Sequence, residues 1–119
     1  MKIPVFDLKR QYEQLKAELD NAFTGVFENG IFVLGENVKL FEEEFAEYIG
    51  AEFAVGVGSG TEALHLSLKS YDIGAGDEVI TVPNTAVPTI SAISFTGAKP
   101  VFVDITPDTY TMDLKKVEE

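Results

Sequence analysis

Val55-Gly56-Val57-Gly58-Ser59-Gly60-Thr61-Glu62-Ala63-Leu64-His65-Leu66 is the stretch that decides the fold of this chain. Residues 53–57 are apolar and β-branched enough for a buried strand. Gly58 and Gly60 then allow a tight turn into a helix, which we expect over residues 62–71. This helix directs its unsatisfied N-terminal amides and the positive end of its dipole at the turn. The pattern therefore predicts an anion site, with phosphate as the favoured ligand.

The glycine-rich turn has a second interpretation, because any α/β protein can use such a turn for close packing of a strand and a helix. No Lys follows Gly60, which excludes a Walker A loop, and the G-x-G-x-x-G spacing is absent. The residues alone leave both a phosphate site and a packing turn open. They exclude a nucleoside triphosphate held by this loop.

Composition restricts the class of protein. The 119 residues are enough for one domain, and 45% of them are hydrophobic. Twenty acidic and nine basic residues give a net charge of −11, which argues against nucleic acid and anionic membrane as partners. There is no cysteine and only one histidine, His65, so we expect no metal site. Without an apolar run of membrane-spanning length or a signal-peptide core, we expect a cytoplasmic protein.

Apolar residues spaced by three and four predict two helices in the first half of the chain, over residues 8–27 and about 37–48. Asp7 is the expected N-cap of the first helix. The acidic run Glu42-Glu43-Glu44 of the second is interpreted as a solvated face. The side chains expected to face inward from the second helix are Val38, Phe41, Phe45 and Ile49.

From residue 53 onward, strands and helices alternate. The pattern predicts an α/β fold with parallel strands and right-handed crossovers. Asp113 is the expected N-cap of a last helix that begins at Leu114. Since three such strands would leave a sheet edge unprotected, we expect these residues to be the first part of a larger α/β protein. The predicted elements are strand 53–57, helix 62–71, strand 78–82, helix 88–95 and strand 100–103.

Five motifs together resemble one family. They are Phe6-Asp7-Leu8-Lys9-Arg10-Gln11-Tyr12, the run from Leu34-Gly35 to Phe41-Glu42-Glu43-Glu44-Phe45-Ala46, Gly58-Ser59-Gly60-Thr61-Glu62-Ala63-Leu64, Gly76-Asp77-Glu78-Val79-Ile80-Thr81-Val82-Pro83-Asn84-Thr85, and Gly97-Ala98-Lys99-Pro100-Val101-Phe102-Val103-Asp104. In this order they resemble the sugar aminotransferases of the DegT/DnrJ/EryC1/StrS type, pyridoxal-phosphate enzymes of the aspartate aminotransferase fold (fold type I). The resemblance covers essentially the whole chain. It implies an N-terminal helical segment over residues 1–50, followed over 51–119 by the first, incomplete part of the α/β large domain that binds pyridoxal phosphate.

The resemblance gives the turn a definite ligand, the phosphate of pyridoxal 5′-phosphate. It implies that the backbone amides of Thr61 and Glu62 hold this phosphate and that Gly60 permits its close approach. We expect the Glu62 side chain to point outward. Where the family usually presents an aromatic ring to the cofactor, this chain has Ala86, which cannot stack. A looser cofactor, a ring supplied from elsewhere, and a subgroup that uses a small residue remain open.

The implied reaction transfers an amino group from an amino acid, typically glutamate, to a nucleotide-linked keto-sugar, in a homodimer. In the family, the cofactor lysine and the acid on the pyridine nitrogen follow the segment that ends at residue 119. The resemblance therefore places no catalytic residue in this chain, and we expect these residues alone to be inactive. Two alternatives stay open: a deoxysugar dehydratase relative, and a non-catalytic regulatory or binding domain that keeps the phosphate turn. The sugar and the carbon that is aminated are also open.

Overall fold

The computed structural model describes residues 4–117. The chain divides into two compact units, Met1–Gly56 (unit 1) and Val57–Glu119 (unit 2). The domain division expected from the sequence, 1–50 and 51–119, concerns the larger fold and stays a prediction.

Unit 1 contains the two helices that the sequence predicts. Helix α1 spans Leu8–Asn29, and the Asp7 carboxylate caps it by accepting the Arg10 backbone N–H at 3.1 Å. Helix α2 spans Glu36–Ile49. Gly30 and Gly50 end the two helices in the left-handed conformation, with φ of 67° and 73°, which costs glycine nothing.

The apolar side chains of unit 1 are largely exposed. Among its described residues, only Ala46 is a buried hydrophobic residue. The expectation that Phe41, Phe45 and Ile49 face inward is wrong, because all three are exposed, and Val38 is half-buried. Helical periodicity shows which face of a helix is apolar, but burial needs a second element against that face. Phe41 and Phe45 stack on each other instead, with ring centroids 5.6 Å apart.

Unit 2 has the expected α/β order. Strands β1 (Glu78–Thr81) and β2 (Lys99–Phe102) pair in parallel, with Glu78 opposite Lys99 and Thr81 opposite Phe102. The parallel pairing confirms the predicted fold class. The elements of this unit are helix α3 (Gly60–Ser70), β1 (Glu78–Thr81), helix α4 (Val87–Thr96), β2 (Lys99–Phe102) and a short 3-10 helix (Leu114–Lys116).

A small core holds unit 2 together. Helix α4 packs against both α3 and β2. The buried Thr96 hydroxyl donates to the Ile93 carbonyl at 2.7 Å and accepts the Ala98 N–H at 3.1 Å, so its burial leaves no polar group unpaired. The buried apolar residues of this unit are Ala92, Ile93, Ala98 and Val103.

The relative direction of α3 and α4 decides whether their N-termini lie at the same end of unit 2. In the last turn of α3, Lys69 Nζ lies 3.5 Å from the carbonyl oxygen of Thr96 in the last turn of α4. The two helices therefore run the same way, and their N-termini lie at one end of unit 2. Because α4 returns the chain between two parallel strands, this end is also the carboxyl end of β1.

Two predicted elements differ from the structure. Residues 53–57 do not form a strand, since a strand needs a hydrogen-bonded neighbour and none of residues 4–117 supplies one here. The last helix is a 3-10 turn over Leu114–Lys116 rather than the start of an α-helix. Its predicted N-cap is correct, because the Asp113 carboxylate accepts the Lys115 N–H at 3.1 Å. Glu118 and Glu119 lie outside the described residues.

Candidate functional site

The glycine-rich turn leads directly into the first turn of α3. Ser59 is the N-cap in an extended conformation, and its carbonyl accepts the Ala63 N–H at 3.0 Å. Its hydroxyl accepts the Glu62 N–H at 3.2 Å. Within residues 4–117, the backbone N–H groups of Gly60 and Thr61 have no hydrogen-bond partner. Two free amides at a helix N-terminus are suited to bind an anion.

Gly60 gives a test of whether an anion fits this place. A Cβ added at Gly60 would meet nothing within 4 Å, and its φ is not in the left-handed region. Neither the backbone nor a described neighbour therefore requires glycine. A Cβ in a helix points toward the N-terminus, so this methyl group would occupy the space in front of the free amides. The residues present fit a phosphate held there.

Glu62 lies where the sequence places it, in the first turn of α3, and it is exposed. Its carboxylate folds back toward the turn and lies close to Gly58. A Cβ built at Gly58 would be only 2.6 Å from Glu62 Oε2. Ser59-Gly60-Thr61-Glu62 matches the S-x-x-E capping box. That pattern, which the sequence analysis missed, identifies Ser59 as a residue of the site. The predicted donor pair Thr61 and Glu62 thus consists of one free amide and one that Ser59 already binds.

Ala86 is the N-cap of α4 and is exposed. It cannot supply a side-chain cap, and its carbonyl accepts the Thr89 N–H at 3.0 Å. Pro88 lies in the first turn of α4, close to the predicted start of the helix at residue 88. Since α3 and α4 begin at the same end of unit 2, Ala86 and the glycine-rich turn lie at that end. Ala86 offers a methyl group there and no ring face.

The charged groups of unit 2 that form pairs lie outside the glycine-rich turn. Lys99 pairs with Glu78 at 2.7 Å, and Lys116 pairs with Asp104 at 3.4 Å. The Ile105 backbone N–H lowers the pKa of Asp104 below its usual value, and Lys116 adds to this effect. The turn itself contains no basic side chain, so the groups within it that can bind a phosphate are amides, hydroxyls and the end of the helix dipole.

Two features are absent from residues 4–117, a metal-binding cluster and a membrane-spanning helix. No three His, Cys, Asp or Glu side chains in this range could together hold a metal ion. No helix in the range has both the length and the apolar content to cross a membrane.

Comparison with known proteins identifies the family of this architecture. The model of the DegT/DnrJ/EryC1/StrS aminotransferase family matches residues 13–119. A dTDP-3-amino-3,4,6-trideoxy-alpha-D-glucose transaminase of Micromonospora megalomicea subsp. nigra is 46% identical over 108 residues, which are 91% of this chain and 29% of the relative. A "pleiotropic regulatory protein" of Geobacillus stearothermophilus is 43% identical over 118 residues, or 99% of this chain and 32% of the relative.

A solved structure is also similar to this chain in both fold and sequence. The crystal structure of S. venezuelae DesV in complex with a ketimine intermediate superimposes with a TM-score of 0.94 and 44% identity, over 98% of this chain and 32% of that one. The chain thus spans about a third of the length of the relatives that it matches.

Proposed function

The chain belongs to the DegT/DnrJ/EryC1/StrS aminotransferase family, and from this premise we propose that it is the N-terminal portion of a pyridoxal-phosphate-dependent sugar aminotransferase. The enzyme would move an amino group from an amino acid, expected to be glutamate, to a nucleotide-linked keto-sugar. The named transaminase among the relatives supports this reaction class. The observation that carries the proposal is the pair of free amides at Gly60 and Thr61, in front of which the Cβ position of Gly60 is open.

In this proposal the chain's own contribution is to bind and orient the cofactor. The Gly60 and Thr61 amides donate to the phosphate, with the positive end of the α3 dipole behind them. The Ser59 hydroxyl would donate its own hydrogen to the phosphate while its oxygen still accepts the Glu62 N–H. Bound pyridoxal phosphate supplies an electron sink for the reaction. The lysine that such chemistry needs is not assigned to any position in residues 1–119.

The partners follow from the same proposal. We propose a cytoplasmic homodimer that acts on a nucleotide sugar and an amino donor, with no nucleic acid or membrane involved. A second candidate function is a regulatory protein that binds the cofactor without turnover. Two observations favour it: Ala86 offers no ring to the cofactor, and one relative is named a pleiotropic regulatory protein. An assay of amino transfer from glutamate to dTDP- and UDP-linked keto-sugars, made on the natural gene product at full length, distinguishes the two. Turnover supports the aminotransferase, whereas cofactor binding without turnover supports the regulator.

Gly60→Ala tests the phosphate site. We expect pyridoxal phosphate, followed by its absorbance, to bind at least about tenfold more weakly, because the methyl group blocks charge-assisted bonds of roughly 1.5–3 kcal/mol each. The fold should be unaffected or stabilised by about 0.4–1 kcal/mol, since alanine fits the backbone here.

Gly25→Ala is the matched control. Gly25 also lies in a helix, and a Cβ there also meets nothing within 4 Å. We expect this variant to bind pyridoxal phosphate like the unmodified protein. Equal affinity of the Gly60→Ala variant and the unmodified protein would contradict the proposed phosphate site.

A further inference from the structure

The carboxylate of Glu62 lies beside the glycine-rich turn, at the candidate phosphate site. Its Oε2 atom is 2.6 Å, and its Oε1 atom 3.9 Å, from the position that a Cβ on Gly58 would occupy. Gly58 and Glu62 are both exposed and both belong to unit 2. Because the contact lies within five consecutive residues, its geometry depends on the local turn and on no other part of the chain.

The capping box of this turn is only half formed. In a complete box, the N-cap hydroxyl accepts one backbone N–H, and the glutamate carboxylate accepts the N–H of the N-cap residue. Here the Ser59 hydroxyl accepts the Glu62 N–H at 3.2 Å, but the Ser59 N–H donates to no acceptor within residues 4–117. The Glu62 carboxylate thus lies over the turn with its charge directed at the solvent there.

This carboxylate and a bound phosphate would lie at the same end of α3. The free N–H groups of Gly60 and Thr61 and the positive end of the helix dipole attract an anion to this end. A Cβ on Gly60 would meet nothing within 4 Å, so the Glu62 carboxylate leaves the space in front of these amides open. A phosphate can therefore enter, but it binds next to a negative charge of the same helix turn.

We propose that Glu62 is a specificity-determining residue that limits the affinity of this site for phosphate. Like charges repel in proportion to the product of the charges, so the carboxylate opposes a dianionic phosphate more than a singly charged group. Because the carboxylate is exposed, dissolved salt screens the repulsion. The inference rests on the proposed function, since it concerns the phosphate of pyridoxal phosphate.

Glu62→Gln removes the charge and keeps the length of the side chain. Glutamine also suits this position of a capping box, so we expect the fold to be unaffected. In the cofactor-free natural gene product at full length, pyridoxal phosphate should bind about threefold more tightly at an ionic strength of about 0.15 M and about tenfold more tightly at about 0.01 M. The affinity for pyridoxal, which has no phosphate, should not change.

Gly58→Ala tests the same charge through geometry. The added methyl group would lie 2.6 Å from Glu62 Oε2, so the carboxylate has to move away from the turn. The φ of Gly58 is not in the left-handed region, so alanine fits the backbone. We expect pyridoxal phosphate to bind about twofold more tightly. The two substitutions combined should bind no more tightly than Glu62→Gln alone, because both act on one carboxylate.

Asp72→Asn is the matched control. Asp72 is exposed and follows the far end of α3, a helix of 11 residues and therefore about 16 Å long. This length exceeds the Debye length of about 8 Å at an ionic strength of 0.15 M. We expect this variant to bind pyridoxal phosphate like the unmodified protein at that ionic strength.

The Gly60→Ala variant separates this inference from the proposed function. If Gly60→Ala weakens binding while Glu62→Gln leaves it unchanged or weakens it, the phosphate binds at α3 and the inference about Glu62 is overturned. A gain in the Glu62→Gln variant that does not shrink with added salt also overturns it, since the effect is then not electrostatic. If Gly60→Ala binds like the unmodified protein, the phosphate site is wrong and the inference fails with it.

Discussion

Unit 1 and unit 2 have equally clear helices but very different cores. In unit 2, helix α4 packs on both α3 and β2 and buries Ala92 and Ile93. In unit 1, neither α1 nor α2 has a comparable apolar contact among the described residues, and only Ala46 is a buried hydrophobic residue. Helix signals in the sequence are local, since caps and periodicity act within a few residues. A core needs partners that are distant in sequence, and the described residues supply these in unit 2 only.

The largest expected effect is on the free energy of unfolding, and it is measured with one isoleucine-to-alanine substitution in each unit. Ile93 is 3% exposed in unit 2, and Ile49 is 54% exposed in unit 1. We expect Ile93→Ala to lower the free energy of unfolding by about 2–5 kcal/mol, because it leaves a cavity in the core. Ile49→Ala should change this free energy by about 0.5 kcal/mol or less. Denaturant unfolding of the 119-residue chain measures both changes in the free energy of unfolding. Equal changes would contradict the difference between the cores of the two units.

A second pair concerns the glycines that end helices. Gly97 ends α4 at φ of 89°, and Gly50 ends α2 at φ of 73°. Alanine at either position costs about 1–2 kcal/mol of left-handed strain. Gly97→Ala should cost more, since its φ is further from the left-handed helical value and its Cβ would lie 3.4 Å from the Ala75 nitrogen.

The strain in the two glycine variants should also change different measured properties. We expect Gly97→Ala to lower the midpoint of cooperative thermal unfolding, because α4 belongs to a packed core. Gly50→Ala should instead reduce helical circular dichroism below the midpoint, as the end of α2 frays. A cooperative shift of similar size in both variants would contradict the difference between the units.

The smallest expected effect is electrostatic and lies in unit 2. The Ile105 N–H and Lys116 lower the pKa of Asp104 in the folded state. Its contribution to stability is therefore complete above the unfolded pKa of about 3.9 and is lost as pH falls through the lower folded value. We expect Asp104→Asn to lower the unfolding midpoint slightly at pH 7, with this difference disappearing in strong acid.

Asp108→Asn is the control for this prediction, as it removes the same charge four residues further along the chain. Asp108 forms no ion pair with any described residue. We expect its effect on the unfolding midpoint to be smaller than that of Asp104→Asn at pH 7. A constant difference between Asp104→Asn and the unmodified protein from pH 7 to strong acid would show that the Asp104 pair does not stabilise unit 2.

Much of the fold could be predicted from the sequence. Asp7 and Asp113 mark helix starts through local chemistry, and both cap a helix where expected. The alternation of strands and helices after residue 78 predicts the parallel pair. The predicted strand over residues 53–57 was wrong, because pairing depends on a neighbour that the local pattern does not contain.

The candidate site could be predicted in part. The glycines and the start of α3 indicate an anion site from spacing alone. Ser59 could have been found from the S-x-x-E pattern, which is local. In unit 1, the hydrogen bond from the Gly56 N–H to Glu42 Oε1 could not be predicted, since it spans 14 residues. The roles proposed for Gly60, Thr61, Glu62 and Ala86 remain predictions.

The central claim is that the first turn of α3 holds the phosphate of pyridoxal phosphate. A crystal structure of the natural gene product, grown with pyridoxal phosphate, tests it directly. We predict phosphate oxygens within about 3.2 Å of the Gly60 and Thr61 nitrogens. A bound cofactor whose phosphate lies elsewhere, with these two amides left to water, would contradict the account.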